Sequence, residues 1–197
     1  MPGYHFTKTW FANSELRQIL TSYLEPTQEN HMLEIGCFEG AASVFFADIF
    51  LSHPQSSLTC VDPFLRIEDN DHKEFLDEQE ELTFDTNLSL CANQEKITIH
   101  KLTSDAFFAA GTERYNFIYI DGCHEPAYIA RDIRNSFKRL DEGGLMWMDD
   151  YLGGEGTQIR DTIDSVLAEL PCEVVHKGYQ IAVRKLRQTK TASPEIQ

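Results

Sequence analysis

The chain has 197 residues, 42% of them apolar, which suits one α/β domain with a proper core and a small insertion. Its formal net charge of −15 argues against a nucleic-acid or anionic-membrane partner, since both need clustered Lys and Arg. No apolar run approaches the roughly 20 residues needed to span a bilayer, and residues 1–30 lack a signal-peptide pattern, so a cytoplasmic protein is expected.

Residues 1–12 are rich in aromatics (Tyr4, Phe6, Trp10, Phe11) and precede a helix starting near Asn13 or Ser14, either of which is a good N-cap. Leu16, Ile19, Leu20, Tyr23 and Leu24 fall on one helical face, and Pro26 ends the element. These residues make up an N-terminal helical segment, 1–30. Met32, Leu33 and Ile35 then form a short apolar run that suits a buried strand. Gly36 and Gly40 follow, and Ala41 to Leu51 is apolar over helical length. The reading is strand, glycine-bearing turn, helix. The glycines let the backbone approach a ligand, and the helix start offers free amides to it. The loop is G-x-x-x-G, with Phe38 where the dinucleotide fingerprint has its middle glycine.

SSLTCVD is a second strand, ending at Asp62, 28 residues beyond Glu34. One βα unit plus a strand brings the two tips side by side, and an acid there typically accepts the ribose hydroxyls of a nucleoside. Residues 68–85 hold nine carboxylates and one lysine. A charge run of this kind is usually a solvated face, so 65–92 is expected to be an acidic helical insertion covering the site. KITIHK is a third strand, and TSDAFFAA opens a helix capped by Thr103 or Ser104. YNFIYID is a fourth strand ending at Asp121. Glu125-Pro126 starts a helix with core face Ile129, Ile133, Phe137 and Leu140, stopped by Gly143-Gly144. LMWMDDY is a fifth strand ending in Asp149-Asp150. A GGEG loop, another helix and a hairpin about Gly178 close the domain at residue 185, and the polar tail 186–197 is expected to be disordered.

Alternating strands and helices predict a Rossmann-like, doubly wound α/β sheet, mostly parallel, with an antiparallel final strand and helices on both faces. The five cysteines, Cys37, Cys60, Cys91, Cys123 and Cys172, form no C-x-x-C pair and imply neither a disulfide framework nor a zinc site. Acids end four strands: Glu34, Asp62, Asp121 and Asp149-Asp150. All should meet at the carboxyl rim, where something cationic must offset their repulsion. With Glu34 and Asp62 given to a nucleoside, Asp121, Asp149 and Asp150 remain as a hard-oxygen cluster suited to Mg²⁺ or a similar ion.

LEIGCFEG, CVDPF, the FIYIDGCH strand end and GGLMWMDDY resemble, in order and spacing, the motifs of class I S-adenosylmethionine-dependent methyltransferases. The metal-dependent small-molecule O-methyltransferases of the catechol and macrolide-sugar type are the nearest in pattern. The resemblance implies that Glu34, Gly36, Phe38 and Gly40 line the methionine and ribose part of S-adenosylmethionine, with Cys37, Pro63 and Asp121 among the same contacts. It implies further that Asp62 holds the ribose hydroxyls, that Thr103, Ser104 and Asp105 contact adenine, and that Asp121, Asp149 and Asp150 are metal ligands. His124 falls where the catechol enzymes carry a lysine base; it is read as a base or as a cap of the helix at Glu125-Pro126. Those enzymes have Asp-Asn where this chain has Asp149-Asp150. A metal-independent methyltransferase of the same fold and a non-catalytic nucleoside-binding module are the alternatives. The expected acceptor is a small molecule of unspecified identity, and nothing in the sequence speaks to oligomeric state.

Overall fold

A computed structural model describes residues 3–68, 73–76, 78–153 and 157–187. A seven-stranded sheet runs in the order β5-β2-β1-β6-β7-β9-β8. Its strands are β1 (His31–Ile35), β2 (Ser57–Val61), β5 (Ile97–His100), β6 (Tyr115–Ile120), β7 (Leu140–Met148), β8 (Cys172–Lys177) and β9 (Ile181–Lys185). β1 pairs in parallel with β2 and β6, β2 with β5, and β6 with β7, whereas β9 runs antiparallel to both β7 and β8.

Alternation along β1 explains the two-sided burial. Met32 belongs to a core shared with Leu16 and Leu20 of α1 (Glu15–Ile19) and the turn after it, Phe46 and Phe50 of α2 (Ala41–Phe50), and Phe84 and Leu88 of α3 (Glu78–Ser89). Leu33, one residue on, belongs to the opposite core. That core holds Phe107 of α4 (Ser104–Ala110), Ile133 and Phe137 of α5 (Pro126–Arg139), and Ile163 and Val166 of α6 (Gln158–Leu167). Successive strand residues point to opposite faces, so a strand covered on both sides is apolar almost throughout. The strand order reverses between β1 and β6, which opens a crevice at their carboxyl ends.

Three boundaries differ from the sequence reading. The insertion is not wholly helical: β3 (Leu65–Glu68) and β4 (Lys73–Leu76) pair as an antiparallel hairpin before α3. The acid run masked the short alternating stretch that forms it. α1 has only five residues, capped by the Ser14 hydroxyl, and gives way to a 3-10 turn at Leu20–Ser22. α5 ends at Arg139, not at the glycines. Gly143 and Gly144 lie inside β7, where the pairing with β6 slips; Gly143 takes φ +80°, and a Cβ on Gly144 would sit 2.9 Å from the Asp141 carbonyl. The tail expected to be disordered falls, from residue 188 on, outside the described residues, as do residues 154–156 of the GGEG loop.

Candidate active site

The loop after β1 is built so that backbone meets backbone. Gly36 has φ +84°, and a Cβ there would lie 2.0 Å from the Asp121 carbonyl oxygen, so only glycine lets the tips of β1 and β6 close together. Gly40, at φ +81°, receives Leu88 and Phe84 of α3 where a side chain would stand. Among the described residues, three that are not glycine also have positive φ: Phe38 (50°), Phe64 (50°) and Asp150 (51°). They sit just past β1, β2 and β7, so among the described non-glycine residues this backbone strain is confined to the strand tips around the crevice.

Asp62 reaches into this loop. Its Oδ2 accepts the Cys37 and Phe38 amides at 2.6 and 3.1 Å, and its Oδ1 accepts the Phe64 amide at 2.7 Å. It is half-buried beside Pro63, at the crevice. Glu34 does not share the open rim as expected. It is 1% exposed, its Oε2 accepts the Ser43 hydroxyl of α2 at 2.6 Å, and the Cys60 thiol lies 3.7 Å from that oxygen. Oε1 has no hydrogen-bond partner among the described residues. Burial pushes the Glu34 carboxyl well above the usual carboxylate range. The side chain one position before Ile35 points into the α2 face, which puts Glu34 underneath the loop.

At the β5 tip, Thr103 caps α4 by accepting the Ala106 amide. The Ser104 hydroxyl donates to Asp132 Oδ1 at 2.5 Å, and Asp105 pairs with Arg131 at 3.1 Å. Asp132, on α5, is 4% exposed, and its Oδ2 would stand 3.6 Å from a Cβ on Gly122. Burial pushes its carboxyl up to about 6.

Asp121, His124 and Asp150 converge at the tips of β6 and β7, each offering a ligand atom within 4.8 Å of the others. His124 Nε2 is 2.9 Å from Asp150 Oδ2, and Tyr179 donates to Asp150 Oδ1. The pairing raises the His124 pKa and lowers that of Asp150. Asp149 is differently engaged from what was expected of a metal ligand. Its Oδ1 accepts Gln180 Nε2 and the Asp150 amide, both at 2.8 Å, and its Oδ2 lies 2.9 Å from Tyr119 Oη. Tyr119 Oη is also 3.0 Å from Asp121 Oδ2. A single phenolic proton thus lies between two carboxylates. Burial, then the Asp149 charge, pushes Asp121 well above its usual range.

The N-terminal segment lies over the glycine loop. The Thr7 amide and hydroxyl both donate to the buried Glu39 carboxylate at 2.6 Å, and Asn87 of α3 exchanges hydrogen bonds with His5 while donating to the Glu39 carbonyl. This strap brings Trp10 into a stack on Phe38, centroids 5.4 Å apart, and Phe11 edge-on to Tyr119. The aromatics of residues 4–11 therefore form a cover that is tied down at both ends. Sequence reasoning missed Tyr119, Gln180, Glu39, Asn87 and Asp132. Asp132 left a readable signal, an acid among Ile129, Ile133 and Phe137 on the core face of α5.

The methyltransferase-domain family model matches residues 33–151. No curated protein matches the chain by sequence. Among solved structures, an S-adenosylmethionine-dependent O-methyltransferase from Thermotoga maritima superposes with a TM-score of 0.63 at 15% identity, covering 88% of this chain and 66% of its own. The chain thus spans just under two thirds of that protein's length. TomG, an O-methyltransferase of tomaymycin synthesis from Streptomyces achromogenes solved with S-adenosylmethionine, gives 0.64 at 13% identity, covering 95% and 84%. An rRNA methylase from Streptococcus thermophilus gives 0.57 at 13% identity, covering 87% and 94%.

Proposed function

The chain belongs to the methyltransferase-domain family and is an S-adenosylmethionine-dependent methyltransferase, and from that premise we propose that it methylates a hydroxyl of a small molecule, with His124 as the base. The observation that carries this reading is the convergence of Asp121, His124 and Asp150 on the crevice beside Gly36. A bound S-adenosylmethionine supplies a sulfonium methyl that a nucleophile attacks in line. The residues of this chain bind and orient. Asp62 offers a carboxylate at the crevice for the ribose hydroxyls, and the Gly36–Gly40 loop lets the backbone come close. Thr103, Ser104 and Asp105 are assigned to the adenine end. Glu34 supports the loop from below through Ser43. With Nε2–H donated to Asp150, His124 Nδ1 is left to take the hydroxyl proton, and Asp150 stabilises the imidazolium that results. Asp149, held by Gln180 and Tyr119, fixes the neighbouring backbone.

The same cluster fits a divalent cation, because ligand atoms of two carboxylates and an imidazole converge within 4.8 Å of one another. Asp121, His124 and Asp150 would hold it, with His124 then a ligand and not the base, and it would lower the pKa of a bound hydroxyl. An imidazole in the set suits Mn²⁺ or Zn²⁺ better than Mg²⁺, which prefers oxygen ligands. A nucleic-acid acceptor is disfavoured by a rim lined with Asp121, Asp149 and Asp150, which repels phosphate. Labelled-methyl transfer to a panel of catechols, phenols, sugar hydroxyls, amines and rRNA fragments tests the reading, with and without chelator. A hydroxyl acceptor is expected, and His124→Gln should lower kcat about 100-fold. Transfer only to amines or RNA, or an unchanged kcat in His124→Gln, would overturn it; activity that survives chelation would remove the cation alone.

A further inference from the structure

Beneath the crevice, on the α2 side of the sheet, strand pairing assembles a second cluster, of which methyl transfer as described above requires nothing. Glu34 of β1 stands in register with Cys60 of β2, and both side chains leave the sheet on the α2 face. The loop after β1 brings Cys37 to them, so that a carboxyl oxygen and two sulfurs lie within 4.8 Å of one another. None of the three residues is more than 4% exposed. Glu34 Oε2 accepts the Ser43 hydroxyl, whereas Oε1 has no hydrogen-bond partner among the described residues. A buried carboxyl oxygen left unpaired is costly and calls for a water or an ion. A water could donate to Oε1 but would find only weak partners in two thiols. A soft cation bonds all three groups at once.

We propose that Glu34, Cys37 and Cys60 form a site for a soft divalent cation of the Zn²⁺ type, which ties the loop after β1 to β2. Thiolates select such ions over Mg²⁺ and Ca²⁺. Zn–S bonds of about 2.3 Å and Zn–O bonds of about 2.0 Å, at a tetrahedral angle, set sulfur and oxygen about 3.5 Å apart. Cys60 Sγ already lies 3.7 Å from Glu34 Oε2. Two thiolates and a carboxylate around a divalent ion leave one negative charge. The positive end of α2 faces it, since Ser43 in the first turn of that helix is bonded to Glu34. Ser43 also serves as the outer partner that orients a ligating carboxylate. The three groups ligate as anions, so the ion displaces their protons to solvent. No C-x-x-C spacing announces the site, because strand pairing and not local sequence brings the thiols together.

Titration of Cd²⁺ into the full chain, kept reduced by a phosphine, tests the site through the ultraviolet thiolate-to-metal charge-transfer band. The cluster of Asp121, His124 and Asp150 has no sulfur and is silent in this band. Wild type and Cys123→Ser, which removes the exposed thiol beside His124, should each develop the band with the amplitude of two thiolates. Cys37→Ser and Cys60→Ser should each lose half of it or more. Glu34→Gln should bind Cd²⁺ at least about tenfold more weakly, the cost of losing even an outer partner. Should the buried serine variants fail to fold, X-ray absorption at the cadmium edge on Cys123→Ser counts the ligands directly, and two sulfurs are expected. A wild type without the band, a band that vanishes in Cys123→Ser or survives whole in Cys60→Ser, or a cadmium ion with one sulfur or none overturns the proposal.

Discussion

Burial holds Glu34, Asp121 and Asp132 above the ordinary carboxylate range, but the consequences differ with what each touches. For Asp132 the folded value is about 6 against 3.8 for the free group, raised by burial and only partly offset by the Ser104 hydroxyl. The fold therefore holds this proton more tightly than the unfolded chain does. Its contribution to stability is full below pH 3.8 and is lost as pH rises through 6. Asp132→Asn should consequently be more stable than wild type at pH 7.5, by about 2–3 kcal/mol at most, with the gap closing towards pH 4. Urea melts at the two pH values measure it, and a constant gap would contradict the assignment. Gly36 carries a different constraint. A methyl group there would fall on the Asp121 carbonyl, so Gly36→Ala must part the β1 and β6 tips. A loss of about 3 kcal/mol or more in the same assay is expected, far beyond the roughly 1 kcal/mol cost of positive φ alone.

Among elements, the strap and α3 are tied together through Asn87. That side chain is 1% exposed and bonds the His5 amide, the His5 carbonyl and the Glu39 carbonyl. Asn87→Ala leaves those groups without partners, which should cost about 2–3 kcal/mol and speed amide exchange at His5 and Thr7 while β1 and β6 stay protected. Unchanged exchange in the strap would mean that Thr7 and Glu39 suffice to hold it. The elements also mark where sequence reading stops. Strand–turn–helix alternation was legible because buried parallel strands are apolar runs and helices repeat every three to four residues. The β3–β4 hairpin was not, since its four-residue strands lie at and just before the start of a run of acids whose charge spoke for a solvated face. In the site, Asp62, Asp121 and Asp150 stood out as acids ending apolar strands. Tyr119, Gln180 and Asn87 did not, because buried polar groups that tie distant elements together carry no local pattern. Glu34 was placed on the rim by its position at a strand end, but strand alternation turned it under α2.

Over the full chain, the doubly wound topology gathers what the sequence scatters. Leu33 of β1 pairs with Ile118 of β6 although residues 36–114 lie between the two strands. The sheet order sets the tips of β1, β2, β6 and β7 around one crevice. Positive φ at Phe38, Phe64 and Asp150 falls at those tips, so the strained backbone and the acids share one edge. With a net charge of −15, the molecule repels polyanions and favours a ligand that carries positive charge to that edge.

Whether this edge binds an adenosyl cofactor through Asp62 is decided by calorimetric titration of S-adenosylhomocysteine into wild type and Asp62→Asn. Asparagine keeps one oxygen for the Cys37 and Phe38 amides but sets an NH2 donor against the Phe64 amide and loses the charged acceptor for the ribose hydroxyls. One site per chain is expected in the wild type, with binding about 10- to 100-fold weaker in a variant that remains folded. Equal affinity in the two proteins, or no binding to the wild type, would refute that role for Asp62.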